Sequence, residues 1–363
     1  MKIIFFIVLL LSTFLAKLAQ PYGTSANGNL QSRIKKIPYI ASFIVTWFFL
    51  AFTNIGSDYE NYRTIIDTIS FENPLYGDSE LGFNYLCIII KTIFNGNPDA
   101  VIFFLKTLTL AIIYVSLYKV ADKISLPFSI LAYISLYWLP SFYLFPIMLS
   151  GALCLASFVD WHLTGKKLRP LFFIILACFI HMSAFLIIPF FVVLYRLPSN
   201  NNYVRFNFFF FIGALTLLFL SNFLISYMAA NLTIFHYDTY NKGESIGTGL
   251  RVIVEYALLY VSYSFLNGKN TDRTFKELVF VFVTTNLIVS IAAYSFDVIS
   301  RVQYLLMPMY LILFSKIMKT MKKSDISVVA ISLVLLLNGF LTFQAEIYGE
   351  GYLLTYNFFN PFR

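Results

Sequence analysis

The chain alternates long apolar runs with short polar breaks. A helix needs about 18 or more consecutive apolar residues to cross the hydrocarbon core of a bilayer. Such runs occur at 1–18, 37–55, 99–118, 126–145, 147–163, 206–228, 251–267, 277–295, 300–318 and 326–344. Segment 172–194 is also strongly apolar. The first run has the length of a signal peptide. However, Lys17 sits close to its end at Ala19, where cleavage needs small residues, so the run reads as a retained helix.

The polar breaks carry charge of alternating sign, which orients the spans. Short loops rich in Lys and Arg stay in the cytoplasm. Loop 19–36 holds Arg33, Lys35 and Lys36 and is therefore expected inside. Segment 56–80 then lies outside, and it holds Asp58, Glu60, Asp67, Glu72, Asp78 and Glu80 against the single Arg63. The basic groups at 166–169, 196–205, 269–276 and 316–323 also belong inside. Two conditions satisfy all of these demands. Segment 81–97, which contains Lys91 and ends in the breaker run Asn95-Gly96-Asn97-Pro98, must lie at the outer surface as an interfacial helix. Segment 170–195 must enter and return on one side. It is too short for two spans at 1.5 Å per residue, so the reading is a re-entrant hairpin with its tip near His181-Met182-Ser183. The alternative is one full span with the charge rule broken downstream. The expected architecture is a single integral membrane domain over 1–363, an all-α polytopic membrane protein with about 10–12 transmembrane helices. Its large outer loops are 56–80 and 229–250, and both termini face outside.

Composition supports this. Apolar residues make up 59% of the chain and charged residues only 12%, roughly half the ~25% charge of a soluble domain. Mean hydropathy is +0.76. These values exclude a soluble enzyme, a disordered chain and a nucleic-acid binder. The net charge of +8 is then cytoplasmic-loop charge. Cys87, Cys154 and Cys178 sit in apolar runs without CxxC spacing and read as small core residues.

Few residues carry chemistry. Asp58, Tyr59, Tyr62 and Arg63 can share a helical face in the outer loop. Tyrosine rings and carboxylates suit a sugar, although a solvated acidic loop with interfacial tyrosines fits equally. His181 lies between apolar halves. An ionisable group in a membrane segment is a functional candidate, and imidazole suits general-base work; the alternative is a neutral histidine bonded to a neighbouring helix. His162 and His236 are weaker candidates. Arg251 and Arg301 start spans at their outer ends, against the charge trend, and a guanidinium matches phosphate oxygens bidentately. Each also fits an interface anchor or a local pair such as Arg251 with Glu255. No DxD, HExxH, GxSxG or GxGxxG pattern occurs, which disfavours a soluble nucleotide-sugar enzyme. There is no long internal repeat, which weakens a transporter reading.

Taken in order, several short elements match one pattern: a basic first loop, Gly56-Ser57-Asp58-Tyr59-x-x-Tyr62, Glu80-x-Gly82-Phe83, His181-x-Ser183, an outer Tyr237…Tyr240 loop, and Ser300-Arg301-x-x-Tyr304. The pattern resembles the EpsG-type family of bacterial exopolysaccharide and O-antigen polymerases, relatives of the Wzy polymerases. The resemblance implies a GT-C-like membrane glycosyltransferase of the bacterial inner membrane. Such an enzyme joins oligosaccharide repeat units carried on undecaprenyl pyrophosphate at the periplasmic face, without nucleotide sugars, metal or cofactor. It implies a separate chain-length regulator as partner and no nucleic acid. One departure stands out. Phe145-Pro146-Ile147-Met148-Leu149-Ser150 lacks the arginine such proteins usually carry there, so pyrophosphate binding shifts to Arg251 and Arg301. The roles implied are His181 as base with Glu80 able to substitute, Arg301 on the leaving pyrophosphate, and Asp58, Tyr59, Tyr62, Arg63, Arg251, Tyr237 and Tyr240 on substrate. A lipid-linked oligosaccharide flippase, an O-antigen ligase and a sugar acyltransferase are the competing readings.

Overall fold

The computed structural model describes residues 1–21, 34–75, 80–164, 168–188, 273–295, 301–320, 326–348 and 358–362. Among these the chain is helical, with one isolated β-bridge between Thr53 and Phe358. The α-helices are α1 (Lys2–Ala19), α2 (Lys36–Ala51), α3 (Tyr59–Thr68), α4 (Leu81–Ile93), α5 (Pro98–Lys119), α6 (Leu126–Tyr133), α7 (Phe145–Thr164), α8 (Leu168–Ile180), α9 (Arg273–Ser295), α10 (Ser315–Thr320) and α11 (Ile326–Tyr348). The chain is an all-α membrane protein.

Its helices are apolar on the outside and more polar within. On α1, Ile3, Phe6, Leu10 and Phe14 are exposed along one face, while Val8, Ser12 and Ala16 are buried. The buried side meets α2, and α2 in turn meets α5, through hydroxyls. Ser42 donates to the Ser12 carbonyl at 2.9 Å, Thr46 donates to Ser12 Oγ at 3.0 Å, and Thr46 Oγ1 lies 2.9 Å from Tyr114 Oη. Lipid tails give no hydrophobic drive between helices, so small and hydroxylated residues that permit close approach and hydrogen bonds hold such interfaces. A water-soluble bundle has the opposite polarity.

Among the described residues, three helices are long and apolar enough to cross a membrane: Lys2–Ala19, Pro98–Lys119 and Val328–Ala345. This is fewer than the apolar runs suggest, and the reason is local. The run at 126–145 breaks into α6, a π-turn at Ile134–Trp138 and a 3-10 turn at Pro140–Phe142. The run at 300–318 breaks into a 3-10 turn at Arg301–Leu306, a π-turn at Met309–Phe314 and α10. The two broken runs pack on each other: Ser129 Oγ lies 2.8 Å from the Leu311 carbonyl oxygen and 2.7 Å from Ser315 Oγ, within hydrogen-bond reach of both. Runs 206–228 and 251–267 lie outside the described residues.

Helix directions follow from the contacts at the two ends of the bundle. One end is basic. There Lys119 and Arg169 both pair with Asp160, at 2.8 and 2.7 Å, Lys316 lies over the Phe275 ring, and Lys319 donates to the Asp122 carbonyl. Gln20, just past α1, donates to the Ile124 carbonyl at this same end. The opposite end carries α3. α4 stays there: its first residues meet α8 near Phe179, and Lys91 near its last turn donates to the Asp67 and Ile69 carbonyls at the end of α3. The next helix, α5, starts at the same end. Asn97 caps it by accepting from the backbone N–H of Asp99 (2.9 Å) and Ala100 (3.2 Å), Pro98 stands at its first position, and Asp99 meets the positive end of its dipole. α8 runs from Arg169 at the basic end to His181 at the α3 end, where the chain turns into a 3-10 segment, Met182–Ile187. The return leg of the expected hairpin lies outside the described residues.

Candidate functional site

The α3 end gathers residues from five separate stretches of sequence. Glu80 is the residue before α4, and its Oε1 lies 2.6 Å from His181 Nδ1. The same oxygen accepts the Met182 backbone N–H at 2.8 Å, so it satisfies the start of the 3-10 turn that follows His181. The side chains of His181 and Glu80 retain only 16% and 20% exposure. The ring N–H does not point along its contact closely enough for a hydrogen bond, and His181 Nε2 and Glu80 Oε2 are buried without hydrogen-bond partners among the described residues. Uncovered polar atoms in a buried site are costly. Catalytic pairs are often misaligned before substrate enters and tighten once it is bound.

Glycine makes this pairing possible. At Gly82 a Cβ would collide with the backbone carbonyl of Phe179, so α4 and α8 approach more closely than any side chain allows. A second close approach fixes the Arg301 segment. At Gly151 on α7 a Cβ would strike the Tyr304 carbonyl, and the Arg301–Leu306 turn packs against both α7 and the Met182–Ile187 turn. Arg301 is partly buried at the start of its turn. Thus the segments of His181 and Arg301 are neighbours at one end of the bundle.

The outer-loop residues sit beside them and divide by face. Asp58 is the residue before α3 and makes no side-chain cap to it. Tyr62 is half-buried, its ring 5.7 Å from Phe83 and 5.3 Å from Phe145. Tyr59 is 2% exposed and points inward: its hydroxyl donates to Asp99 Oδ1 at 3.0 Å. Burial, with the Asp99 carboxylate next to it, pushes the Tyr59 hydroxyl well above its ordinary pKa. Arg63 Nε donates to both Asp99 oxygens, at 3.1 and 3.3 Å, and the carboxylate raises the guanidinium pKa further. The four residues therefore do not form one open surface. Tyr59 and Arg63 are committed to Asp99, and Tyr62 links α3 to α4 and α7.

Arg251, Tyr237, Tyr240 and His236 lie outside the described residues. Lys106 and Asn338, scattered in the sequence, have separate partners: Lys106 donates to the Thr53 carbonyl and Asn338 to Tyr310 Oη. Cys87, Cys154 and Cys178 are free and buried. Among the described residues no group of three or more His, Cys, Asp or Glu side chains could hold a metal ion. An apolar cleft between α1, the Ile134–Trp138 turn and α11 is lined by residues such as Phe5, Ser135 and Gly339, and none of the candidate residues borders it.

Sequence reasoning missed Asp99, the common partner of Tyr59 and Arg63. Glu80, in sequence a possible substitute for His181 as the base, lies against His181 itself. No curated protein and no solved structure matches the chain. A model of the EpsG family matches residues 36–358, which reach from the first turn of α2 to the Thr53–Phe358 bridge. The chain is therefore a membrane protein that belongs to the EpsG family, a family associated with a polysaccharide-polymerase type of role.

Proposed function

We propose that the protein is a membrane glycosyltransferase of the bacterial inner membrane that polymerises O-antigen or exopolysaccharide. It joins oligosaccharide repeat units carried on undecaprenyl pyrophosphate, and the α3 end of the bundle faces the periplasm. One observation carries the reading: a partly buried imidazole–carboxylate pair, His181 and Glu80, with His181 Nε2 and Glu80 Oε2 shielded from solvent and without hydrogen-bond partners among the described residues, next to the turn that begins with Arg301.

In the reaction an acceptor sugar hydroxyl attacks the anomeric carbon of the donor unit. The new C–O bond forms as the bond from that carbon to the pyrophosphate oxygen breaks, and undecaprenyl pyrophosphate leaves with the electron pair. Glu80 favours the imidazole tautomer with hydrogen on Nδ1, which leaves the Nε2 lone pair for the acceptor proton. Arg301 stabilises the negative charge growing on the leaving oxygens, with Arg251 as a second cation. Tyr62 offers its half-buried ring edge to sugar, with Asp58 nearby. Tyr59 and Arg63, committed to Asp99, hold α3 in place. The further partners of this reading are the bilayer and a chain-length regulator.

The test is complementation of a strain lacking the protein. Polymerase loss leaves core plus a single repeat on a lipopolysaccharide gel. Flippase or ligase loss leaves bare core. Acyltransferase loss leaves the ladder intact. The deletion strain should give core plus one repeat, and His181→Ala, accumulated at the parent level, should fail to restore the ladder. A general base contributes on the order of 10²–10⁴-fold. A normal ladder from His181→Ala would remove the imidazole from the chemistry.

A further inference from the structure

Lys106 is 1% exposed, one of the largest fully buried side chains in the described bundle. A charged amine inside a membrane protein is costly unless it is paired, so its surroundings should explain it. Its ammonium donates to the Thr53 carbonyl at 2.7 Å and lies 3.4 Å from Thr53 Oγ1. Three aromatic rings box the rest: Tyr59 at 5.2 Å, Phe142 at 5.6 Å and Phe145 at 5.7 Å from ring centre to Nζ. A desolvated cation over aromatic faces is attracted by their ring quadrupoles. Asp99 stands two helical turns earlier on α5, and its carboxylate oxygen accepts the Tyr59 hydroxyl. Tyr59 therefore has the anion at its hydroxyl and the cation at its ring.

The partners come from four different places: the end of α2, α3, the Pro140–Phe142 turn and the start of α7. Nothing in the proposed chemistry uses Lys106 directly. It is buried away from substrate, yet the rings it gathers lead to the site. Phe145 touches Tyr62, Tyr62 touches Phe83, and Phe83 is on the first turn of α4, which begins after Glu80.

We propose that Lys106 is a positioning residue of the polymerisation site: its boxed ammonium pins α3 and the start of α7 to α5, and so sets the Tyr62–Phe83 contact that aims Glu80 at His181. This rests on the polymerase reading for its catalytic half only.

The experiment has two arms. Ile66 is fully buried on α3. Ile66→Cys is introduced into the full chain with Cys87, Cys154 and Cys178 replaced by Ala, and detergent-solubilised protein is labelled with a bulky maleimide. Lys106→Met should speed labelling at position 66 about tenfold as α3 detaches, and Lys106→Arg, which keeps a cation over the rings, should restore protection. In the second arm, with the cysteines native, turnover of an undecaprenyl-pyrophosphate-linked repeat unit is measured. Lys106→Met should lower kcat on the order of 10–100-fold, the cost of a misplaced catalytic group, with KM within about twofold. Unchanged labelling overturns the proposal. So does faster labelling with kcat unchanged. If the parent chain turns over no substrate, that failure belongs to the polymerase reading, and labelling alone decides the anchor. Should Lys106→Met not accumulate, Lys106→Gln removes the charge while keeping a donor for the Thr53 carbonyl. It should also speed labelling at position 66, and unchanged protection there overturns the anchor.

Discussion

Glu80→Gln separates the role of the carboxylate from that of the imidazole. The substitution preserves size, and the amide oxygen still accepts the Met182 N–H that Glu80 Oε1 now accepts at 2.8 Å. What is lost is the negative charge 2.6 Å from His181 Nδ1. Once bound substrate aligns the pair, a hydrogen bond to a charged group contributes about 1.5–3 kcal/mol, and both side chains are at most 20% exposed, so solvent screens the pair little. At about 1.4 kcal/mol per decade of rate, kcat should fall roughly 10–100-fold. KM should change little, because the carboxylate stabilises the imidazolium only as the proton arrives. His181→Ala should cost more. The decisive assay is a double-mutant cycle on initial rates with a lipid-linked repeat unit. If Glu80 acts through His181, the double variant is no slower than His181→Ala alone. Strictly additive losses would show two independent groups, and a wild-type rate for Glu80→Gln would remove the carboxylate from the reaction.

Gly82→Ala should force α4 away from the Phe179 carbonyl, with an overpacking cost of about 1–3 kcal/mol and disproportionate loss of turnover, read by thermal unfolding in detergent beside activity. Asp160→Asn leaves Lys119 and Arg169 without their shared carboxylate at the basic end. Asp160 is buried, but its partners are 32% and 62% exposed, which screens the loss, so about 1–3 kcal/mol of stability should go with kcat preserved in the surviving protein. A large kcat defect from Asp160→Asn would contradict the placement of the chemistry at the α3 end.

Much of the bundle was legible because hydropathy encodes burial in lipid directly. The run 99–118 became α5 (Pro98–Lys119), and Asn97-Pro98-Asp99 marked its start through capping chemistry that acts locally. The acidic segment after α2 and the breaker run before α5 kept α4 at one end, as its charges require. The π- and 3-10 turns inside 126–145 and 300–318 left no such trace. They arise where Ser129 reaches Leu311 and Ser315, contacts between distant stretches that the pattern of one stretch does not contain. The site divides the same way. His181 stood out because an ionisable group is rare in an apolar run, and Glu80 because it ends an acidic loop. Their contact required α4 and α8 to meet at Gly82, and only the folded chain shows that. Tyr59 looked like a sugar platform in sequence because its type suited one; its burial depends on Asp99 and Lys106.

The Thr53–Phe358 bridge has a consequence for biosynthesis. Phe359 N–H donates to the Phe52 carbonyl at 3.0 Å, and Asn97 Nδ2 donates to the Pro361 carbonyl, 264 positions away. Thr53 also receives the Lys106 ammonium. A ribosome delivers these early residues long before their partners, so the corner around Lys106 stays unfinished until Phe358, Phe359 and Pro361 emerge. An insertion machinery handling this chain must keep that corner soluble in lipid, with a lysine inside it, through the synthesis of all the residues between.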